Sequence, residues 1–102
     1  MNIQWTTRHL EVDDEVKNFF MEKLGKLDKY EIRITGSSVA LSHVKNIFLA
    51  EIKLTAKNLV AHSEAESGKN IFVAIEEAVE KIEAQVRKHK EKVKDHHARD
   101  EQ

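Results

Sequence analysis

Apolar residues in this chain recur first at every second position, then at every third or fourth, then at every second again, and finally at helical spacing. Ile3, Trp5 and Thr7 alternate with Asn2, Gln4 and Thr6, the pattern of a half-buried strand. Asp13 comes next as an N-cap, with Asp14 and Glu15 where the helix dipole favours negative charge. Val16, Phe19, Phe20, Leu24 and Leu27 then predict a helix burying one stripe and ending near Lys29. Gly25 falls inside it at a cost of roughly 1 kcal/mol relative to alanine. Close packing against a neighbour is the expected reason for a glycine there.

Period two returns with Val39 and Leu41, on one face of a strand over about 38–44. Lys45-Asn46 is a turn candidate. Ala50, Ile52 and Leu54 next alternate with Glu51, Lys53 and Thr55, the clearest strand signal in the chain. Lys57-Asn58 marks a second reversal, with a strand of weaker pattern after it over 60–66. Ser67-Gly68-Lys69-Asn70 breaks the sheet, and Asn70 can cap a helix over 70–94 whose buried stripe is Phe72, Ile75, Val79, Ile82 and Val86. The order β-α-β-β-β-α predicts an α+β fold, a two-layer sandwich in which two helices pack on one face of a four-stranded mixed sheet. Only Val93 continues the stripe past Val86, so the last turns are expected to project beyond the sheet.

Composition bounds what such a fold can do. At 102 residues the chain is expected to be a single domain over 1–95 with a short, flexible, charged tail over 96–102. Without cysteine it has no disulfide, thiolate metal site or thiol nucleophile. It has no apolar run of the roughly 20 residues a membrane span needs, and no signal-peptide pattern at its start. The expected location is the cytoplasm, away from membranes. A net charge of −1 means that any attraction to nucleic acid must come from a local patch.

The last predicted helix supplies one. Glu76, Glu77, Glu80 and Glu83 crowd its first half against Lys81, whereas Arg87, Lys88, Lys90, Lys92 and Lys94 crowd its second half against Glu91. This order also suits the helix dipole. A second cluster, Lys23, Lys26 and Lys29, ends the first helix. If the two helices run in the same direction, their basic ends meet and form a phosphate-binding surface.

Other chemistry finds less support. Six histidines invite a metal reading, yet His96-His97 are adjacent rather than one turn apart, and no HExxH spacing occurs. No metal site or other cofactor is therefore expected. Ser42 and His43, neighbours on a strand, point to opposite faces and make a poor nucleophile and base. Ser37-Ser38 and Ser67-Gly68 fall in expected turns, without a phosphate-cradling glycine loop. No catalytic group is assigned, and the chain is expected not to be an enzyme. Trp5, Phe19, Phe20 and Phe72 fall on buried stripes, which disfavours a sheet face that stacks bases.

Four segments together resemble the bacterial ribosome hibernation promoting factors, also called the sigma-54 modulation protein family. They are NIQWTTRHLEVDDEV from Asn2, KLGKLDKY from Lys23, GKNIFVAI from Gly68 and QVRKHKEK from Gln85. The resemblance extends to about Asp95 and implies the same sandwich. It also implies a stress or stationary-phase protein bound to the small ribosomal subunit in the channel of messenger and transfer RNA. Contacts with 16S ribosomal RNA are implied at Lys23, Lys26, Lys29, Lys81, Lys88, Lys90 and Lys92, and Arg87 joins them on its charge alone. Many members carry an arginine where this chain has Ala84, and an acidic-Met-Tyr helix start where it has Asn70-Ile71-Phe72. The length favours the short type, monomeric when free, that binds 70S ribosomes and permits 100S pairs with a separate ribosome modulation factor. The rival expectation is a protein-interaction module that regulates an alternative sigma factor through the sheet edge or the acidic helix half.

Overall fold

The fold is seen in a computed structural model, which describes residues 3–100, with side chains described through Lys92. Strand β1 (Ile3–Arg8) leads to helix α1 (Asp14–Leu24), which tightens into a 3-10 segment over Gly25–Tyr30. Strands β2 (Ile34–Val44), β3 (Ile47–Ala56) and β4 (Leu59–Ser67) precede helix α2 (Ile71–Asp100). The sheet order is β1-β2-β3-β4, with β1 parallel to β2 and the remaining pairs antiparallel. This is the expected mixed sheet, and both helices cover one face of it.

The period-two pattern is realised as cross-strand rows. Trp5, Val39, Ile52 and Ser63 lie in one row facing the helices, while Gln4, Ser38, Lys53 and His62 form its neighbour on the open face. Phe20, Leu24 and Leu27 of the first helical segment and Ile75, Ile82 and Val86 of α2 are fully buried over Val39, Leu41, Ile52 and Leu54. Alanines at 50, 61 and 65 share the core with alanines 74 and 78, small residues that let α2 lie close to β3 and β4.

Turn chemistry agrees with the sequence. Lys45 and Asn46 both adopt positive φ, 53° and 66°, as a two-residue hairpin needs to match strand twist. Asn58 does so alone in the second hairpin, with φ 62°. Both expected caps form: Asp13 accepts from the Val16 N–H at 3.0 Å and Asn70 from the Val73 N–H at 2.9 Å.

Three expectations need correction. Gly25 is not held by close packing: its φ is −60° and a Cβ added there would meet nothing within 4 Å. It marks instead the point where α1 gives way to the 3-10 turn. Strand β2 starts at Ile34, four residues before the alternation shows, because a bulge between Ile34 and Gly36 breaks the period. Ser37-Ser38 consequently lies within a strand, not a turn. Helix α2 continues to Asp100, past the expected end at Lys94. The expected tail over 96–102 otherwise lies outside the described side chains, and its last two residues lie outside the described residues.

Two geometrical features place the basic ends of the helices. Helices α1 and α2 run in the same direction, because each returns across the sheet after a strand of the same sense. Their contacts therefore advance together, from Phe19 with Phe72 to Lys23 with Glu76 and Tyr30 with Glu83. Second, α2 engages the middle of the outer edge of β4. The Gln85 amide accepts from the His62 N–H at 3.2 Å and donates to the His62 carbonyl at 2.6 Å, while the Lys81 ammonium donates to the Glu64 carbonyl at 2.7 Å.

Candidate nucleic-acid interface

The parallel packing brings the end of the 3-10 segment against the middle of α2, so Lys29, the last of the first basic cluster, meets Arg87 at the start of the second, while Lys23 stays back at Glu76. Beyond Val86 no described residue of α2 is buried. The helix, about 45 Å long at 1.5 Å per residue, outruns the longest strand, about 36 Å at 3.3 Å per residue.

At the junction the two elements are tied by four side chains. Glu83 reaches across to the Lys29 ammonium at 3.0 Å and accepts from the Tyr30 hydroxyl at 3.1 Å. The Arg87 Nε donates to that same hydroxyl at 3.3 Å, and its terminal nitrogen lies 4.0 Å from Glu83. The hydrogen bond from Lys29 holds the Glu83 carboxyl below the usual carboxylate range despite partial burial. In return, Glu83 raises the Lys29 ammonium, and the Tyr30 hydroxyl raises the Arg87 guanidinium. Lys29, Glu83 and Arg87 therefore hold their charges firmly at neutral pH.

The eight cations singled out by sequence divide in two. Lys23 pairs with Glu76 at 3.3 Å, sits over the Phe19 ring and is only 20% exposed. Lys29 and Arg87 share Glu83, and Lys81 is engaged at the β4 edge. Lys26, Lys88, Lys90 and Lys92 lie toward solvent, and among the described residues no ion pair engages them. At 100° per residue Lys81, Lys88 and Lys92 fall within about 40° of one another, along the side of α2 that faces the β4 edge. Lys90 lies on the other side with Arg87, toward Lys29. The basic end thus presents two lines of charge flanking the core-facing side of one helix. The Lys94 side chain lies outside the described ones.

Sequence reasoning missed Tyr30 and Glu83 as parts of this surface. The spacing of Glu83 and Arg87, four apart on a helix, was legible. The pairing with Lys29 and Tyr30 was not, since it spans more than fifty positions and depends on the 3-10 turn.

Elsewhere, His43 stacks on Phe48 across the hairpin, with ring centroids 3.9 Å apart and planes within 6°. His62 lies 3.5 Å from Glu51 on the open face. Phe20 is fully buried, while Trp5, Phe19 and Phe72 are half-buried, in edge-on pairs of Trp5 with Phe20 and Phe19 with Phe72. Among the described residues the open sheet face bears no Phe, Tyr or Trp in the rows of Gln4 and Thr6. Among those residues, too, no helix is long and apolar enough to cross a membrane.

Known proteins share both sequence and shape with this chain. It is 29% identical over 96 residues to the ribosome hibernation promoting factor of Escherichia coli K12, covering 94% of this chain and 100% of that protein. The protein of the same name from Pseudomonas putida KT2440 is 26% identical over 94 residues, covering 90% of this chain and 89% of the other. The crystal structure of the Thermus thermophilus Protein Y N-terminal domain superposes with a TM-score of 0.80 at 30% identity, over 87% of this chain and 99% of that one. A Coxiella burnetii structure described as a ribosomal subunit interface protein shares the fold, with a TM-score of 0.77 at 18% identity over 88% and 98% of the two chains. The family described as Sigma 54 modulation protein / S30EA ribosomal protein matches residues 3–94, and the chain belongs to that family.

Proposed function

We propose that this chain is a ribosome hibernation factor. It binds the small ribosomal subunit in the messenger and transfer RNA channel through its basic helix ends, and so keeps idle ribosomes out of translation. The observation that supports this reading is the parallel packing of α1 and α2, which joins the end of the first basic cluster, at Lys29, to the start of the second, at Arg87. The names of the relatives supply the ribosome as partner.

The mechanism is occlusion. Lys26, Lys88, Lys90 and Lys92 meet phosphates of 16S ribosomal RNA, and the sandwich fills the space that messenger and transfer RNA need. Lys23, Lys29, Lys81 and Arg87 serve first to fix the helices, and the latter three line the same surface. The free protein is a monomer of the cytoplasm, and on 70S ribosomes it permits pairing into 100S particles with a ribosome modulation factor. A purely protein-binding role for the acidic half of α2 is less well supported, because Glu76 and Glu83 already hold Lys23 and Lys29.

Sedimentation of the purified protein with ribosomes and with isolated subunits, at two salt concentrations, tests the reading. Binding to small subunits at low salt, lost on addition of messenger and initiator transfer RNA, is expected. Four phosphate contacts imply a salt slope on the order of −3, by the behaviour of single strands. Lys88→Glu combined with Lys92→Glu should abolish co-sedimentation while shifting Tm by no more than a few degrees, since both side chains are exposed. Unaltered binding by that folded double variant would refute the reading.

A further inference from the structure

Glu83 occupies an unusual place for a surface acid. Its side chain is only 18% exposed, and it sits where a phosphate would be expected, between the Lys29 ammonium at 3.0 Å, the Tyr30 hydroxyl at 3.1 Å and the Arg87 guanidinium at 4.0 Å. Two cations and a hydroxyl donor converging on one anion is the composition of a phosphate site. The two cations themselves remain accessible, with side chains 63% and 55% exposed. They are therefore held, not hidden.

We propose that Glu83 is a specificity-determining residue of the basic end: an internal anion that keeps Lys29 and Arg87 occupied until a correctly placed phosphate displaces it. This rests on the nucleic-acid reading of that surface and adds a reason for its selectivity. Four lysines are free to attract any polyanion, but they attract it weakly. The remaining two cations contribute fully only where shape brings a phosphate to the Tyr30 corner, because elsewhere Glu83 offsets one of their two charges and repels the newcomer. Lys29 and Arg87 are mostly in water, so they can turn from the carboxylate to a phosphate with no rearrangement of the fold. Tyr30 bonds to both Glu83 and Arg87 and keeps the guanidinium in place while the anion changes.

The test is Glu83→Gln, which keeps the shape and removes the charge, measured on poly(U) and on isolated small subunits. On poly(U) the slope of log K against log salt should steepen by about 0.7 to 1.4, equivalent to one or two further phosphates. Binding at about 0.2 M salt should tighten roughly three- to tenfold on that slope if the two lines meet near 1 M. On small subunits the gain should be smaller, so the ratio of specific to nonspecific affinity falls. Tyr30→Phe retains the carboxylate and should leave the poly(U) slope at the parent value. A parent slope in Glu83→Gln would overturn the inference. So would an equal steepening in Tyr30→Phe, which would trace the effect to loosened cations instead of a removed charge. Failure of the parent protein to bind small subunits would overturn the hibernation reading alone, because the slope on poly(U) decides the role of Glu83 independently.

Discussion

At the scale of single residues, a basic side chain on this surface either supports the fold or awaits a partner, and its neighbours decide which. Lys23 lies over an aromatic ring and beside Glu76, so much of its stem is packing area. Lys88 pairs with no acid among the described residues. Lys23→Ala is therefore expected to lower Tm by a few degrees with little loss of RNA binding. Lys88→Ala should do the reverse, with parallel melting and binding measurements separating the two. Glu83 also sets a pH dependence. Its carboxyl titrates below its unfolded range, so the stabilisation is fully present above that range and is lost as pH falls through the depressed value. The raised Lys29 loses its share only as pH climbs through the alkaline region. The contribution of this pair to Tm should be constant across neutral pH, and Glu83→Gln should soften the fall on the acid side. The effect is small, because Lys29 and Arg87 are mostly in water and screened.

At the scale of elements, two helices laid side by side in one direction set like dipole ends together. The pairs Lys23 with Glu76 and Lys29 with Glu83 join the two elements and oppose that repulsion. Much of this layer was legible in the sequence. Asn70 reads as a cap simply from its place ahead of an apolar stripe, and Asn70→Ala should cost about 1 kcal/mol in urea denaturation with an unchanged m value. The stripe through Ile75, Ile82 and Val86 was equally plain, since period and burial have the same cause. What stayed hidden was non-local or irregular. The bulge after Ile34 cancels the alternation that would have announced β2 four residues earlier, and the 3-10 turn after Gly25 rotates Tyr30 toward α2. The candidate surface was half legible for the same reason. Spacing finds the lysines, but only tertiary pairing shows that Lys23, Lys29, Lys81 and Arg87 already have partners.

At the scale of the whole molecule, the part of the β4 edge held by α2 bears on how copies of the chain can meet. Gln85→Ala should cost about 0.5–1.5 kcal/mol, because the His62 backbone exchanges a side-chain amide for water. Its larger effect should appear as concentration-dependent association in sedimentation equilibrium. A filament built strand upon strand needs monomers of valence two, with an open edge on each side. With the His62 backbone and the Glu64 carbonyl engaged by α2, the middle of the β4 edge is withdrawn from strand pairing. Extension of the sheet by a second copy is therefore disfavoured on the β4 side.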